Sequence, residues 1–563
     1  MNRFRFDVAA FLLLIPGLVV LGRAAQITVL RHDELTDYAR SQQSRVMLTH
    51  GPRGKIVSSD GYQLASSVRR YAVQVDRDTL QFPKLFSALA ATILEEPQDE
   101  IRRRLEAGGR YTWLTKNLDL EKAESIEALD EAAVWLVPHW ARQYPLGRHA
   151  APLIGFVGMD DLQLRGRSGL ESYYESLLVG ETNRYHFVED AHRRLLRLES
   201  VDAGRGGFNL ELTLSARLQV FAESELEAAI EASGATAGSV VVMECHTGNL
   251  LSLASAPFSP RPSARFPYRA IDWMLRPVQV AIEPGSTVKP IIAASALSAG
   301  VVTDDEVFDC RDRGIHVAGH WIRDHAVPDL YTIDGVVAES SNTGIIRIAE
   351  RIDPGLLWRA FDAFGFGRTP ELGFAGESAG ILHSPDRWTG MSTAGHALGQ
   401  ELTVSPLQLA MAYAAIANGG WLPEPRLVDR VDGRSKAPSD RVALRTRVLD
   451  ERLSARLISM LERVVDEGTG ELARVPGYRV GGKTGTAQTV AEGVFDDDHH
   501  TAWFAGFLPL PNPRWVVVVT IENPTDDYWA SSIAAPVFST VAERTAHLFG
   551  ATPTTPPSPG SSV

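Results

Sequence analysis

The glycine-rich stretch VDAGRGGFN, residues 201–209, restricts the fold more than any other feature. It is the best domain boundary, because the chain on its far side begins a long helix and then a hairpin. With 563 residues in all, the chain is long enough for a core on each side. Hydrophobic residues at 44% and charged residues at 22% are the balance of a folded protein. The formal net charge of −13 gives no general electrostatic reason to bind nucleic acid.

Ahead of the glycines, Arg3 and Arg5 precede the apolar run VAAFLLLIPGLVVLG, which favours a cytoplasmic N-terminus. The run is short of the ~20 residues that span a bilayer, and Gly22 and Ala24 make a small-x-small site, which fits a cleaved signal peptide. If Arg23 snorkels outward and the helix continues through AAQITVL, the same segment is an uncleaved anchor. Either way the remainder is exported. HDELTDYARSQQSRV then has helical spacing, GPRGKIVSSDGYQLASS reads as two strands around an SDG turn, and EEPQDEIRRRLEAG reads as a helix. No titratable cluster in this half resembles a catalytic site.

Beyond the glycines come a long helix, SARLQVFAESELEAAIEAS, and a hairpin, GSVVVMECHTGNLLSLAS. Much later the apolar strands TAWFAGFLPL and RWVVVVTIEN precede a last helix, IAAPVFSTVAERTAHLF. The tail ATPTTPPSPGSSV is too polar and proline-rich to bury a core, and it is expected to be disordered. The only cysteines, Cys245 and Cys310, lack a CxxC or lipobox context and read as two small buried thiols.

Chemistry concentrates in the second half. In EPGSTVKP, residues 283–290, a Pro-Gly turn delivers Ser286 to the start of a helix and sets Lys289 one turn on, so an amine can reach a hydroxyl. Serine is a weak nucleophile until a base takes its proton. Ser-x-x-Lys alone also describes a capping serine followed by a surface lysine. Of all the lysines, however, only Lys289 has serine three places before it, and only Lys483 is followed by Thr-Gly. AESSNTG supplies Ser340 and Asn342, and VGGKTGTAQ supplies Lys483, Thr484, Gly485 and Thr486 on a strand-like segment. Three such motifs in this order are a strong signal.

With these motifs the sequence resembles the class B penicillin-binding proteins, the monofunctional peptidoglycan D,D-transpeptidases, over nearly its whole length. RGKIVSSDGYQLASS, RQYPLGRHAAPLIGFVG and GRSGLESYYESLLVG are similar to the family's pedestal motifs, and SPLQLAMAYAAIANGG lies where the family has a similar helix. MECHTG and YRAID depart from its usual hairpin and Asn-Arg-Ala patterns.

The resemblance implies an α+β protein. Residues 1–30 form a membrane anchor, 31–204 an elongated mixed α/β pedestal of the dimerisation type, 209–550 a transpeptidase domain with an antiparallel sheet covered by helices, and 551–563 a tail. It implies a single-pass protein of the bacterial cytoplasmic membrane, with its catalytic domain in the periplasm. Ser286 is then the nucleophile toward stem peptides ending in D-Ala-D-Ala and toward β-lactams, and Lys289 its base. Ser340 relays a proton and Asn342 holds Lys289 or the substrate amide. Lys483, Thr484 and Thr486 meet a terminal carboxylate, and Gly485 leaves space for the substrate backbone. Strict strand alternation puts the threonines opposite Lys483. A distorted edge strand, or an oxyanion hole from the backbone N–H groups of Ser286 and Thr486, would resolve that conflict.

No metal or other cofactor is implied. The partners implied are a multispanning glycan polymerase and other division proteins, since residues before 209 lack an acid pair for glycan synthesis. An elongation-type role, a β-lactam sensor, a D,D-carboxypeptidase and a β-lactamase are the alternatives. The absence of further membrane spans and of an HExxH motif argues against the sensor. HVAGHWIRDH (His316, His320, His325) and FDDDHH (Asp496, Asp497, Asp498, His499, His500) have the look of metal-site fragments, but without a completing cluster each reads as a surface hairpin or loop. Glu171 reads as a polar pedestal contact, and Arg53 and Arg142 as interdomain ion pairs.

Overall fold

The computed structural model describes residues 2–35, 44–160, 162–189, 195–202, 204–257, 273–435, 446–491, 494–525 and 527–555. Within these, side chains are not described at 2–10, 12, 13, 44–49, 183–189, 195–202, 434, 435, 489–491 and 494–499. Residues 36–43 of the expected polar helix, YRAID at 268–272 and residues 556–563 of the tail lie outside the description.

The N-terminal run is a helix, Asn2–Ala25, continuing as a π-turn over Gln26–Leu30. Phe11, Leu14, Val19, Val20 and Leu21 on it are all exposed. Among the described residues no helix is long and apolar enough to cross a membrane.

In the half before the glycines, the expected strand pair forms at Ile56–Val57 and Gln63–Asp76, and the charged helix at Gln98–Ala107. Helices Pro83–Leu94 and Gln98–Ala107 pack on the strands Gln63–Asp76 and Tyr111–Leu118 around a separate core containing Val73, Phe86, Ile101 and Leu114. The ion pairs expected between domains lie within this half. Arg53 and Arg142 both clasp the buried Glu171, at 2.5 and 2.6 Å, and Arg53 also pairs with Glu175 at 2.6 Å, so two guanidinium groups are balanced by two carboxylates.

The two halves are knitted together. Ile56–Val57 runs parallel to Leu210–Leu212, which pairs in turn with Val428–Val431, so one sheet passes through the glycine-rich boundary. Asp60, in the SDG turn, accepts hydrogen bonds from Ser215 Oγ and from the backbone N–H groups of Ala216 and Arg217, satisfying donors at the start of the long helix Ala216–Ser233. Glu223 on that helix reaches back to the N–H of Ala150 at 2.9 Å.

The second half is built on a five-stranded antiparallel sheet in the order Leu250–Ala256, Ala237–Glu244, Trp515–Glu522, Val494–Leu508, Gly481–Ala491. The late strand Trp515–Glu522 sits at its centre and is buried along its length. Its alternate residues enter different cores: Val517 and Val519 meet the terminal helices Ala216–Ser233 and Ala530–Leu548, while Val516 and Val518 face the helix Pro406–Ala417 and the helical region around it. Both faces are covered, so the strand reads as a continuous apolar run rather than an alternating one.

The tail differs from expectation at its start. Ala551 O accepts from Tyr478 Oη, and Thr554 N–H donates to Gly477 O, which ties down residues 551–555. Cys245 and Cys310 are both buried and free.

Candidate active site

Ser286 lies in a 3₁₀ turn, Gly285–Val288, that leads into the helix Lys289–Ser298. Gly285 takes φ +56°, a left-handed conformation open to glycine, and this tips the turn toward the sheet edge. Behind the turn, Tyr413 Oη on the buried helix Pro406–Ala417 donates to Thr287 O at 2.8 Å.

Lys289 is fully buried. Its Nζ lies 2.6 Å from Ser340 O, 3.2 Å from Ser340 Oγ and 2.9 Å from Asn342 Oδ1. Among the described hydrogen bonds, all those of Nζ go to this turn and none to Ser286. Burial pushes the amine down to about 7, against the opposing charge of Asp324. A neutral amine has two N–H donors and one lone pair. Two of the three oxygens are carbonyls that can only accept, so Ser340 Oγ–H is the one group of the three able to donate to the lone pair.

Asp324 organises the second motif. It is buried, and it accepts hydrogen bonds from Ser341 Oγ at 2.6 Å, Asn342 N–H at 2.9 Å and Thr343 N–H at 2.8 Å, at the N-terminus of the helix Asn342–Ala349. Burial alone would raise its carboxyl; these bonds hold it below the usual carboxylate range. Ser340 is held at φ +58° just before that helix.

The third motif occupies the sheet's edge strand, Gly481–Ala491. Lys483 is fully buried, with Nζ 3.2 Å from Thr484 O and 3.3 Å from Thr484 Oγ1. Burial, reinforced by the charge of Lys289, pushes its amine well below the ordinary value, while Glu339 opposes this. Thr484 Oγ1 is also 2.8 Å from Thr469 Oγ1. Thr484, Thr486 and Gln488 line the cleft, as alternation requires.

One expectation is corrected. A Cβ on Gly485 would lie 2.7 Å from Pro284 O and 2.8 Å from Thr287 Cγ2, so the space this glycine keeps is filled by the turn that carries Ser286.

The cleft between these elements has a volume of about 670 Å³ and is lined by Ser286, Ser340, Asn342, Thr484 and Thr486 from the motifs. Trp321, His325, His500, Tyr528 and Trp529 also border it. His500 stacks on Tyr528 at 4.2 Å, and His325 meets Trp529 edge-on at 5.6 Å. The HVAGHWIRDH stretch forms a hairpin, Gly314–Val317 with His320–Arg323, and Trp321 and His325 border the cleft; FDDDHH lies on the strand Val494–Leu508, one arm of the hairpin it makes with Gly481–Ala491. The side chains of Asp496, Asp497, Asp498 and His499 lie outside the description. Among the described residues no group of His, Cys, Asp or Glu could hold a metal ion.

Sequence reasoning missed Asp324, Thr469, Tyr413 and the aromatic border. The one signal for Asp324 was its place in WIRDH, inside a stretch whose histidines drew attention instead.

Two family models match the chain: a penicillin-binding protein transpeptidase domain over residues 238–543 and a penicillin-binding protein dimerisation domain over residues 48–212. The chain is 30% identical to the peptidoglycan D,D-transpeptidase FtsI of Escherichia coli (strain K12), covering 96% of this chain and 90% of that one. It is likewise 30% identical to the stage V sporulation protein D of Bacillus subtilis (strain 168), over 95% of this chain and 84% of the relative. The crystal structure of penicillin binding protein 2X from Streptococcus thermophilus superposes with a TM-score of 0.76 over 90% of this chain and 81% of that one. At 20% identity that likeness speaks for the fold alone.

Proposed function

The chain belongs to the class B penicillin-binding proteins, which join a dimerisation domain to a transpeptidase domain. On that premise we propose that it is a peptidoglycan D,D-transpeptidase cross-linking stem peptides through an acyl-enzyme on Ser286. The observation that carries this is the buried amine of Lys289, low enough to be a base near neutrality, one turn beyond a serine that opens onto the cleft.

Neutral Lys289 takes the Ser286 Oγ proton as Oγ bonds to the carbonyl carbon of the penultimate D-alanine. The carbonyl electrons move onto oxygen, which the backbone N–H groups of Ser286 and Thr486 stabilise. When the C–N bond breaks, the departing amine of terminal D-alanine collects a proton from Lys289 through Ser340. An acceptor amine then attacks the ester, its proton passes to Lys289, and the ester C–O bond breaks with the proton returning to Ser286. Asn342 holds Lys289 in place throughout. The substrate carboxylate meets Thr484 and Thr486, which line the cleft, while buried Lys483, with Nζ beside Thr484 Oγ1, acts on it through Thr484; the carboxylate's charge favours protonation of the otherwise depressed Lys483.

The domain division at about residues 204–209 and the anchor belong to this reading. The anchor, with the cleft on the periplasmic side of the cytoplasmic membrane, rests on the resemblance, on Arg3 and Arg5 ahead of the apolar run and on the exposed apolar side chains of the first helix, not on a described helix long and apolar enough to cross a bilayer. Septal wall synthesis beside a multispanning glycan polymerase follows from the resemblance to division-type members.

The test is intact-mass and peptide mapping after a labelled penicillin. The adduct should sit on Ser286, and Ser286→Ala should abolish it without unfolding the protein; an adduct on any other serine of the wild type would refute the assignment. With lipid-linked glycan and a polymerase, the product should be cross-linked dimer. Trimmed monomer alone would move the chain to the hydrolases.

A further inference from the structure

Glu283 opens the stretch that ends in the Ser286 turn, and its side chain turns back into the protein. Residues 282–285 run antiparallel to residues 399–404. Ile282 and Val404 exchange backbone hydrogen bonds at 3.0 and 2.9 Å, Glu283 Oε1 accepts from Glu401 N–H at 3.2 Å, and Gly285 N–H donates to Gly399 O at 3.2 Å. The backbones are so close that a Cβ on Gly399 would stand 2.0 Å from Gly285 O. The second segment carries part of the cleft wall, since Leu398 and Gln400 line the same cavity as Ser286.

This lacing is held under strain. Glu401 sits at φ +58°, unusual for a residue with a Cβ, and its N–H is the one that Glu283 receives. The other carboxyl oxygen, Glu283 Oε2, is buried with no hydrogen-bond partner among the described residues. An ionised carboxylate could scarcely remain so, whereas a neutral acid leaves far less charge unsolvated.

The titratable group facing Glu283 is Glu401, a like charge. Glu401 itself leans over the helix Ser392–Ala397, where it faces His396, whose Nδ1–H donates to Ser392 O at 2.7 Å and whose ring stacks on Trp388 at 4.2 Å. Burial first, with Glu401 adding to it and the Glu401 N–H opposing, pushes the Glu283 carboxyl up to about 7.

We propose that Glu283 is a positioning residue for Ser286, holding residues 399–404 against the nucleophile turn as a neutral acid and releasing them when it ionises. The inference rests on the reading of Ser286 as the acylated serine.

The test is the rate of Ser286 acylation by a fluorescent penicillin, measured from about pH 5.5 to about pH 9 on the full-length protein, for the wild type, Glu283→Gln and Glu283→Ala. The wild-type rate should decline above about pH 7, approaching tenfold per pH unit. Glu283→Gln keeps the uncharged shape. It should retain the neutral-pH rate within about threefold, lose the alkaline decline, and leave non-covalent penicillin affinity unchanged. Glu283→Ala should be slower by roughly tenfold or more at neutral pH, with the loss in the acylation step. An unaltered alkaline decline in Glu283→Gln overturns the proposal, as does wild-type acylation by Glu283→Ala. If Glu283→Ala does not fold, the Gln profile decides alone. Should peptide mapping find the wild-type label elsewhere than Ser286, it is the nucleophile assignment that falls.

Discussion

Replacing Asp324 by asparagine should move the acid limb of acylation to lower pH. Asp324 is the charge that opposes burial at Lys289 and so supports its protonated form. On the proposed role of Lys289 as base, acylation needs the neutral amine, whose fraction rises with pH through its pKa. An ordinary lysine at 10.5 would be neutral in only about three molecules in ten thousand at pH 7, whereas an amine at about 7 is neutral in half of them. Removing one neighbouring carboxylate lowers an amine by on the order of one unit. At pH 6 the neutral fraction should therefore rise from about a tenth to about a half, a roughly fivefold gain relative to each protein's own plateau. The plateau itself should fall, because the asparagine NH₂ can no longer accept, losing the donors of Ser341 and Thr343 if it replaces Oδ2 or that of Asn342 if it replaces Oδ1. Stability should drop by about 1–3 kcal/mol. Stopped-flow acylation by a fluorescent penicillin from about pH 5 upward, carried out with and without Asp324→Asn in the Glu283→Gln background that should lack the alkaline decline and normalised to each plateau, reads the limb directly. A limb that stays in place or moves to higher pH would refute the electrostatic argument, whatever happens to the plateau.

Gly485→Ala forces its new methyl against Pro284 O and Thr287. It should slow acylation by at least about tenfold and cost about 1–3 kcal/mol in a thermal melt, and unchanged acylation would mean the strand and the nucleophile turn can part freely. Glu283→Gln bears on stability as well. The folded carboxyl titrates near 7 against 4.5 in the unfolded chain, so from about 4.5 to about 7 the folded state keeps a proton the unfolded state has lost, and stability falls with rising pH. Glutamine removes that fall, worth about 1–3 kcal/mol after allowing for the part of the carboxyl that water screens, so its gain in Tm should be larger at about pH 8 than at about pH 5. Asp60→Ala strips the start of the helix Ala216–Ser233 of its carboxylate and should cost about 1–3 kcal/mol, with faster proteolysis at the turn over residues 58–62; an unchanged melt would show that the two halves are held by the shared sheet alone.

Much of this was legible in the residues themselves. Regular spacing marked the helices Gln98–Ala107, Ala216–Ser233 and Ala530–Leu548, and the apolar run at Trp515–Glu522 marked a strand, because these patterns reflect local geometry repeated along the chain. The order Ser-x-x-Lys, Ser-x-Asn, Lys-Thr-Gly likewise needs only the chain to be read, and it singled out Ser286, Lys289, Ser340, Asn342 and Lys483 as the candidates. Which strand lies at the sheet's centre, which groups surround each lysine, and what fills the space beside Gly485 depend on contacts between residues far apart in the chain. Lys289 draws its hydrogen bonds from Ser340 and Asn342, its opposing charge from Asp324 and its dryness from the helices above it. Desolvation and Coulomb forces act through space, so the sequence by itself determined which side chains were available for the chemistry, and the tertiary structure alone decided how basic the lysine is and why Asp324 and Glu283 matter.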